Sequence, residues 1–600
     1  MAFISPVARL IPDRSNASNR SLKSRKETTI SRFVSFVFGA AIALLCFGGV
    51  IQAQVVTVPD TPQIGSSNPI TAEPLVPRPP TRPCIVQLFQ NLPFDNFTPA
   101  MFSYTPPASC PGPWAKVVFT ADFTVQSGQQ FDRTAAFYLG HANIFYGTTA
   151  EPRASLSPSW HVERDVTDLT AIFRSPQSGE ANLGNFVGVS GGSDFNSIIF
   201  ANAALEFYPA SFAAPVPGTP DVVVPVNGSG GDAGTLNTAT DQITQALSLP
   251  ANTERVYLDV IAQSQSNDEF WYLCVPNDQT TNLESCGNTA FRETLVTIDG
   301  QAAGVAPISP WIFTGGIDPF LWEPIPGVQT LDFKPYRVDL SPFAGLLADG
   351  KQHTVGVSVF NADSFFQATA NLLVFTDHAS QHVTGGILSN DLTPAPIPVV
   401  SENIATTANG STGSITVESN RNFTISGYVN TSHGRIETTV QESVNFKNDQ
   451  NFNVNANTDI QDVVQTSTID STTTTRQGPL ATTVQRHISY PLTVDFSFVI
   501  NKDGSEKQVT TTDQHFQTSQ STNLNGFFLD ENKTSNEVSA TDTQSVSADG
   551  VGSGPTDSRT TQTFTQNNSL GGCFSRTLTA EAQQLKTVTN GKGCAANDRF

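Results

Sequence analysis

Seven apolar residues stand at every second position from Ile488 to Ile500: Ile488, Tyr490, Leu492, Val494, Phe496, Phe498 and Ile500. A period of two puts all seven on one face of an extended chain, whereas a helix would scatter them around its circumference. The same alternation runs through Val117, Phe119, Ala121, Phe123 and Val125, and through Ile199, Ala201, Ala203, Leu205 and Phe207. Further strand signals fall at Val256, Leu258 and Val260, at 295–298, at Val355, Val357 and Val359, and at 372–375. Phe423, Ile425 and Val429 start another strand, with Gly427 interrupting it, and Lys502-Asp503-Gly504 is a hairpin turn signal. No long stretch carries a 3.6-residue repeat. The chain is therefore predicted to be all-β.

Prolines and glycines punctuate these runs. Residues 54–83 hold eight prolines without periodicity and are predicted to be an extended linker. A second linker is expected at 216–235, around Pro217, Pro220, Pro225 and the glycines at 228, 230 and 231. A third boundary falls near the prolines at 394, 396 and 398, beyond which Thr, Ser, Gln and Asn dominate. The expected organisation is a β-sandwich over 84–215, a second over 236–395, and a β-rich C-terminal domain over 396–600: two tandem jelly-roll-like antiparallel β-sandwiches followed by a third β unit.

Charge narrows the partners. Asp and Glu number 53 against 32 Lys and Arg, a net charge of −21. Nucleic acid requires a basic footprint, so it is excluded as a partner, and an anionic membrane surface is disfavoured for the same reason. Residues 1–53 read as a secretory signal: seven basic residues before position 33, an apolar run over 33–51, then Ala53. The alternative is an uncleaved anchor formed by 33–51. After cleavage the protein is expected outside the cell, off the membrane. Six cysteines then remain, Cys84, Cys110, Cys274, Cys286, Cys573 and Cys594, in three sequence-local pairs. Six cysteines allow fifteen pairings, of which neighbour pairing is the simplest. None forms a metal-like CxxC, and His378 and His382 lie in a β context that gives no helix to align them, so no metal is expected. N-x-S/T sequons occur at Asn96, Asn227, Asn409, Asn422, Asn430, Asn532 and Asn567. Oligomeric state is not readable from the sequence.

Several segments together carry a family resemblance. They include Gly128-Gln129-Gln130-Phe131-Asp132-Arg133, Glu151-Pro152 and the run from Trp160 to Thr167. Asn267-Asp268-Glu269-Phe270-Trp271-Tyr272, the run from Gly287 to Glu293, and Val296 to Gly300 continue the set. Thr314 to Pro319, Leu321-Trp322, Asp339 to Phe343, Asp349-Gly350 and His353 complete it. In combination, from about Cys84 to His378, they resemble the peptide:N-glycosidase A family. The resemblance implies an amidase that cleaves the bond between an Asn side chain and the first N-acetylglucosamine of an N-glycan, leaving Asp and releasing the intact glycan. It implies an N-glycopeptide or glycoprotein substrate and no cofactor.

Amide hydrolysis needs a group to activate water, an acid for the leaving nitrogen, and donors for the developing oxyanion. Asp132, beside Arg133, is the candidate to activate water, with Arg133 lowering its pKa or clamping a substrate carbonyl. Glu269 is the candidate acid. If 268–273 is a strand, Glu269 and Trp271 share a face, and the indole can stack on a sugar and raise the carboxyl pKa. Arg292 and Glu293 are candidates to hold the chitobiose core, and Glu151 is a candidate on a loop. Trp160 and Trp322 are candidate sugar platforms. Asp165 and Asp339 read as turn or cap residues. Glu323 stands where the family commonly has a basic residue. Two other functions stand beside this one: an endoglycosidase, since paired carboxylates also cleave sugar–sugar bonds, and a non-catalytic carbohydrate-binding or adhesive surface protein, to which the Thr/Ser-rich C-terminal third and the possible anchor point.

Overall fold

The computed structural model describes residues 58–59, 61–131, 133–190, 192–592 and 594. The predicted secretory segment, with its apolar run over 33–51, lies outside them. Among the described residues no helix is long and apolar enough to cross a membrane, and the one α-helical turn is Ala344–Leu347. The chain is all-β.

The first unit packs two four-stranded antiparallel sheets. One is ordered Cys84–Phe94, Ile199–Pro209, Trp114–Val125, Ser159–Asp165. The other is ordered Ala100–Tyr104, Gln177–Asn182, Thr134–Leu139, Ala142–Thr148. With the small hairpin Gly188–Ser190/Ser193–Phe195 set aside, the eight strands counted in chain order give sheets 1-8-3-6 and 2-7-4-5, a jelly roll. The alternating Phe residues explain the packing. Phe119 of one sheet meets Phe145 of the other at 5.5 Å, and Phe123 meets Phe137 at 6.0 Å. Each such ring, fully buried, contributes roughly 1.5–3 kcal/mol.

The second unit repeats this topology without a sequence repeat. Val222–Val226, Phe366–Thr376, Thr253–Ser264 and Tyr336–Asp339 form one sheet; Ile243–Leu247, His353–Phe360, Glu293–Ile298 and Gln301–Pro307 form the other. With Gly234–Leu236 set aside, the order is again 1-8-3-6 and 2-7-4-5. The predicted linker over 216–235 is thus corrected. Val222, Val223 and Val224 are β-branched and pair with Val374, Leu373 and Leu372. Pro225 is tolerated because this is an edge strand.

The C-terminal third is one 13-stranded antiparallel sheet. Its hairpin Gly410–Thr431/Gly434–Asn455 has two 22-residue strands, each roughly 70 Å long at about 3.3 Å per residue. The strand Thr384–Asn390, placed in the second sandwich by sequence, pairs here with Gly410–Thr431. One sheet face carries buried Val417, Phe423, Ile425 and Phe446, which join the core of the second jelly roll. Gly427 does not break its strand. A Cβ there would overlap the Pro342 carbonyl, so the glycine lets the turn of the second unit dock on the sheet. The seven-position alternation at 488–500 spans two strands, Leu480–Ser489 and Leu492–Ile500, because Pro491 has no N–H for the ladder.

The expected linker over 54–83 is also corrected, for its described part. It is extended, as its prolines dictate, but it is docked. Gly65 N–H donates to Leu585 O at 2.7 Å, Ala72 N–H to Gln562 Oε1 at 2.6 Å, and Ile70 N–H to Pro324 O at 2.9 Å. Arg78 then pairs with Glu163 at 2.6 Å and Glu206 at 3.0 Å on the first jelly roll. His161, held by Asp122 and Glu163, has its pKa raised to about 9: their hydrogen bonds outweigh the desolvation that would lower it. Residues 61–83 are a strap across all three units. The disulfides join Cys84–Cys110, Cys274–Cys286 and Cys573–Cys594.

Candidate active site

Glu269 sits on a loop between two fixed points. Before it, Asp268 is fully buried and its Oδ2 accepts from Asp363 N–H at 2.7 Å and Ser364 N–H at 2.8 Å. Its Oδ1 accepts from Arg292 Nε at 2.8 Å. Arg292, also fully buried, donates through Nη1 to Thr289 O and Phe291 O, both at 2.9 Å. Burial lowers the Arg292 pKa, and Asp268 opposes that shift. Such a pair, once removed from water, is costly to break because the remaining charge has no partner. After Glu269, the Cys274–Cys286 disulfide closes the loop. The C-terminal sheet holds the carbonyls between: Asn448 Nδ2 donates to Tyr272 O, Gln461 Nε2 to Leu273 O and Gln450 Nε2 to Cys274 O, at 2.9–3.0 Å.

This segment is not the expected strand. Ser266–Asp268 and Trp271–Leu273 are 3-10 turns, and Ser266 takes a positive φ of 55°. The polar Ser-Asn-Asp sequence favours a turn, and the period-2 assignment of faces fails with it. Glu269 is half-buried. Trp271 is a core residue packed on Tyr272 at 5.8 Å and Phe446 at 6.0 Å.

The other carboxylate on a loop, Glu151, lies where the two jelly rolls meet. Its N–H donates to Thr314 Oγ1 at 2.9 Å, and that hydroxyl donates to Thr149 O at 2.9 Å. Thr149 N–H in turn donates to Arg133 O at 3.0 Å. Two residues on, Arg153 pairs with Glu323 at 3.3 Å. Burial raises the Glu323 pKa and Arg153 opposes it, so Glu323 is one half of an inter-unit clasp. A Cβ on Gly316 would lie 3.3 Å from Phe270 Cε1. The 314–316 turn thus touches the main chain of Glu151 on one side and the neighbour of Glu269 on the other.

Asp132 lies outside the described residues. Arg133 is buried, with Nη1 donating to Gln130 Oε1 at 3.2 Å. Three aromatic expectations are corrected. Trp160 stacks on Phe123 at 5.0 Å inside the first jelly roll, Trp271 is enclosed as described, and Trp322 is buried with Nε1 donating to Gly316 O at 2.8 Å. None offers a ring face to a sugar. Arg292 and Glu293 are corrected too: Arg292 belongs to the Asp268 pair, and Glu293 is buried against Arg421 of the C-terminal sheet. Burial lifts the Glu293 pKa to about 7 against the pull of Arg421. Asp165 and Asp339 receive the N–H of Thr167 and Ser341, as turn residues do.

Sequence reasoning missed Thr314, Asp268 and the Asn448/Gln450/Gln461 ladder. Asp268 stood in a motif already singled out, but the strand assumption turned it away from Glu269. A concavity of about 880 Å³ lies elsewhere, beside His141, Gly231 and Gln245. There Asn227 Nδ2 donates to His141 O at 2.6 Å and Gly231 O at 3.0 Å.

Comparison with known proteins adds the following. Residues 81–393 match the family model "Peptide N-acetyl-beta-D-glucosaminyl asparaginase amidase A", and residues 414–492 match the PNGase A C-terminal domain. A peptide-N4-(N-acetyl-beta-glucosaminyl)asparagine amidase A from Prunus dulcis is 29% identical over 385 residues, 60% of this chain and 65% of that protein. The chain thus spans just under two thirds of that relative. The solved structure of PNGase F, a glycosylasparaginase from Flavobacterium meningosepticum, has 13% identity and a TM-score of 0.34, covering 49% of this chain and 96% of that one. PNGF-II has 11% identity and a TM-score of 0.34, covering 49% of this chain and 66% of that one.

Proposed function

The chain belongs to the peptide N-acetyl-β-D-glucosaminyl asparaginase amidase A family, and from that premise we propose that it is a secreted amidase that hydrolyses the β-aspartylglucosamine bond of N-glycopeptides and glycoproteins. Water adds to the side-chain amide carbon, the carbon–nitrogen bond breaks, and the Asn becomes Asp. The sugar leaves as a glycosylamine, which water then converts to free glycan and ammonia. Asp132 takes the proton of the attacking water, and Glu269 delivers a proton to the leaving nitrogen.

The observation that carries this reading is the family match over both jelly rolls, 81–393. The loop geometry agrees with it. Glu269 is half-buried on a loop whose ends are fixed by a buried ion pair and a disulfide, and a positioned carboxyl is what proton transfer requires. Glu151, whose main chain is held by Thr314 of the 314–316 turn, is assigned to substrate binding.

The test is mass spectrometry of an N-glycopeptide incubated with residues 54–600 at mildly acidic and neutral pH. Free intact glycan together with Asn converted to Asp supports the amidase. One sugar left on the Asn identifies an endoglycosidase instead. An untouched glycopeptide with folded protein identifies a binding protein.

A further inference from the structure

Beside Arg133 the surface turns apolar. Four phenylalanine rings run in contact: Phe131 meets Phe195 at 5.5 Å, Phe195 meets Phe186 at 6.2 Å, and Phe186 stacks with Phe97 at 6.4 Å. The Arg133 guanidinium lies 4.4 Å over Phe131. The row therefore begins under the side chain of Arg133, whose carbonyl anchors the hydrogen-bond chain to Glu151. At its far end Phe97 is 65% exposed, and Val187 and Val189 alongside are 41% and 73% exposed. The hairpin Gly188–Ser190/Ser193–Phe195, which supplies Phe195 and follows directly on Phe186, belongs to neither sheet of the jelly roll. It is pinned to the loop before Phe131, where Gln129 N–H donates to Asn196 Oδ1 at 3.0 Å and Gln129 bridges Phe195. Clustered exposed apolar side chains of this kind mark an interaction surface.

We propose that this hairpin and its phenylalanine row bind the polypeptide part of the substrate, taking apolar side chains next to the glycosylated Asn; the inference rests on the amidase reading. Two observations favour peptide over sugar. The side chains of the row carry no hydroxyl or amide, and a sugar site must answer the hydroxyls it buries with hydrogen bonds. And among the described residues Gly188–Ser190 pairs only with Ser193–Phe195, leaving an outer strand edge of the kind to which extended peptides add. Continuity with the junction selects the occupant. A glycosylated Asn seated there has its own chain leaving on both sides, and one side meets Phe131.

The test uses four ligands: peptides with either Phe or Ser flanking the Asn, each with and without the same glycan. Binding of the sugar-free peptides and hydrolysis of the glycosylated ones are measured on the full chain and on a Val187→Ser/Val189→Ser variant, whose exposed positions leave the fold intact. The full chain is expected to bind the Phe-flanked sugar-free peptide roughly tenfold more tightly than the Ser-flanked one, as burial of one apolar side chain allows. In the variant that ratio falls to about twofold, and kcat/KM drops more for the Phe-flanked glycopeptide than for the Ser-flanked one. Equal binding of both peptides by the full chain, or a ratio unchanged in the variant, overturns the proposal. Discrimination between sugar-free peptides without any glycan release upholds the peptide subsite and removes the amidase reading.

Discussion

Asp318 and Asp542 bring two carboxyl groups together where the second jelly roll meets the C-terminal sheet. Both are fully buried. Asp318 Oδ2 accepts from Gln508 and Gln544 side-chain amides at 3.2 and 3.0 Å and from Thr510 Oγ1 at 3.2 Å, while its Oδ1 accepts Phe320 N–H. Burial first, then the charge of Asp318, raise the Asp542 pKa to about 7. Two carboxylates this close cannot both ionise, so the folded protein keeps a proton that the unfolded chain sheds near pH 3.9. With the folded pKa above the unfolded one, the pair's stability is intact below about pH 4 and is lost as pH rises through about 7. Each pH unit across that window costs about 1.4 kcal/mol, roughly 4 kcal/mol in all. Because the proton is shared between two groups and the pair's environment relaxes around it, about 2 kcal/mol is the measurable share. Asp542→Asn keeps the shape, donates to Asp318 and needs no proton. For a unit the size of the C-terminal third, 2 kcal/mol corresponds to a Tm shift of about 4–8 °C. Thermal melts from pH 4.5 to 8.5 should show the variant matching the native chain at the acidic end, melting higher at pH 8, and declining less steeply between. A variant with the native slope, or one less stable at pH 8, would refute the shared-proton reasoning.

Three further perturbations address the site and its supports. Glu269→Gln should lower kcat by about 10²–10⁴ with an unchanged melting profile; activity within about tenfold of the native chain would take Glu269 out of proton transfer. Thr314→Val removes both hydrogen bonds that join Thr149 O to Glu151 N–H. It should cost about 1–3 kcal/mol of stability and reduce kcat/KM roughly tenfold, measured by urea titration and glycan release; an unaltered kcat/KM would show that the junction does not set the position of Glu151. Arg78→Ala strips the buried Glu163 of its guanidinium, which should destabilise by about 3 kcal/mol and open residues 61–83 to limited proteolysis. A strap that stayed resistant would mean that its contacts with Leu585, Gln562 and Pro324 suffice to hold it.

The alternating runs were legible because burial of one sheet face imposes a period of two. The strand Trp114–Val125 and the strand Ile199–Pro209 carry that period across most of their length, and both jelly rolls follow from it. What pairs with what was not legible. Two units with the same strand order share no sequence repeat, since topology is set by which apolar faces meet and not by any one residue. The turn Ser266–Asp268 defeated the reading for the opposite reason. Six residues of mixed character gave a period-2 template enough matches, while the decisive contacts, Arg292 and the Asp363 and Ser364 amides, come from distant chain. The tryptophans misled likewise: an indole next to a carboxylate has the same local sequence whether it faces a sugar or Phe446.

The polar C-terminal third is best understood from the inward side of its strands. Asn448, Gln450 and Gln461 are buried, and in an isolated sheet such residues would be a liability. Here each amide is satisfied by a carbonyl of Tyr272, Leu273 or Cys274, on the chain that leaves Glu269. A 3-10 turn leaves carbonyls unpaired, and a turn that is to hold the Glu269 carboxyl steady needs partners for them that do not move. Neighbouring strands of a wide sheet provide such partners, because each is fixed along its length by the next. The same face places Arg421 on Glu293, Asp542 on Asp318 and Gly427 under Pro342. The Gln- and Asn-rich composition that separates this third from the jelly rolls is thus the composition of a rigid wall. It backs the Glu269 loop with hydrogen bonds where a purely apolar face would leave the turn free to shift.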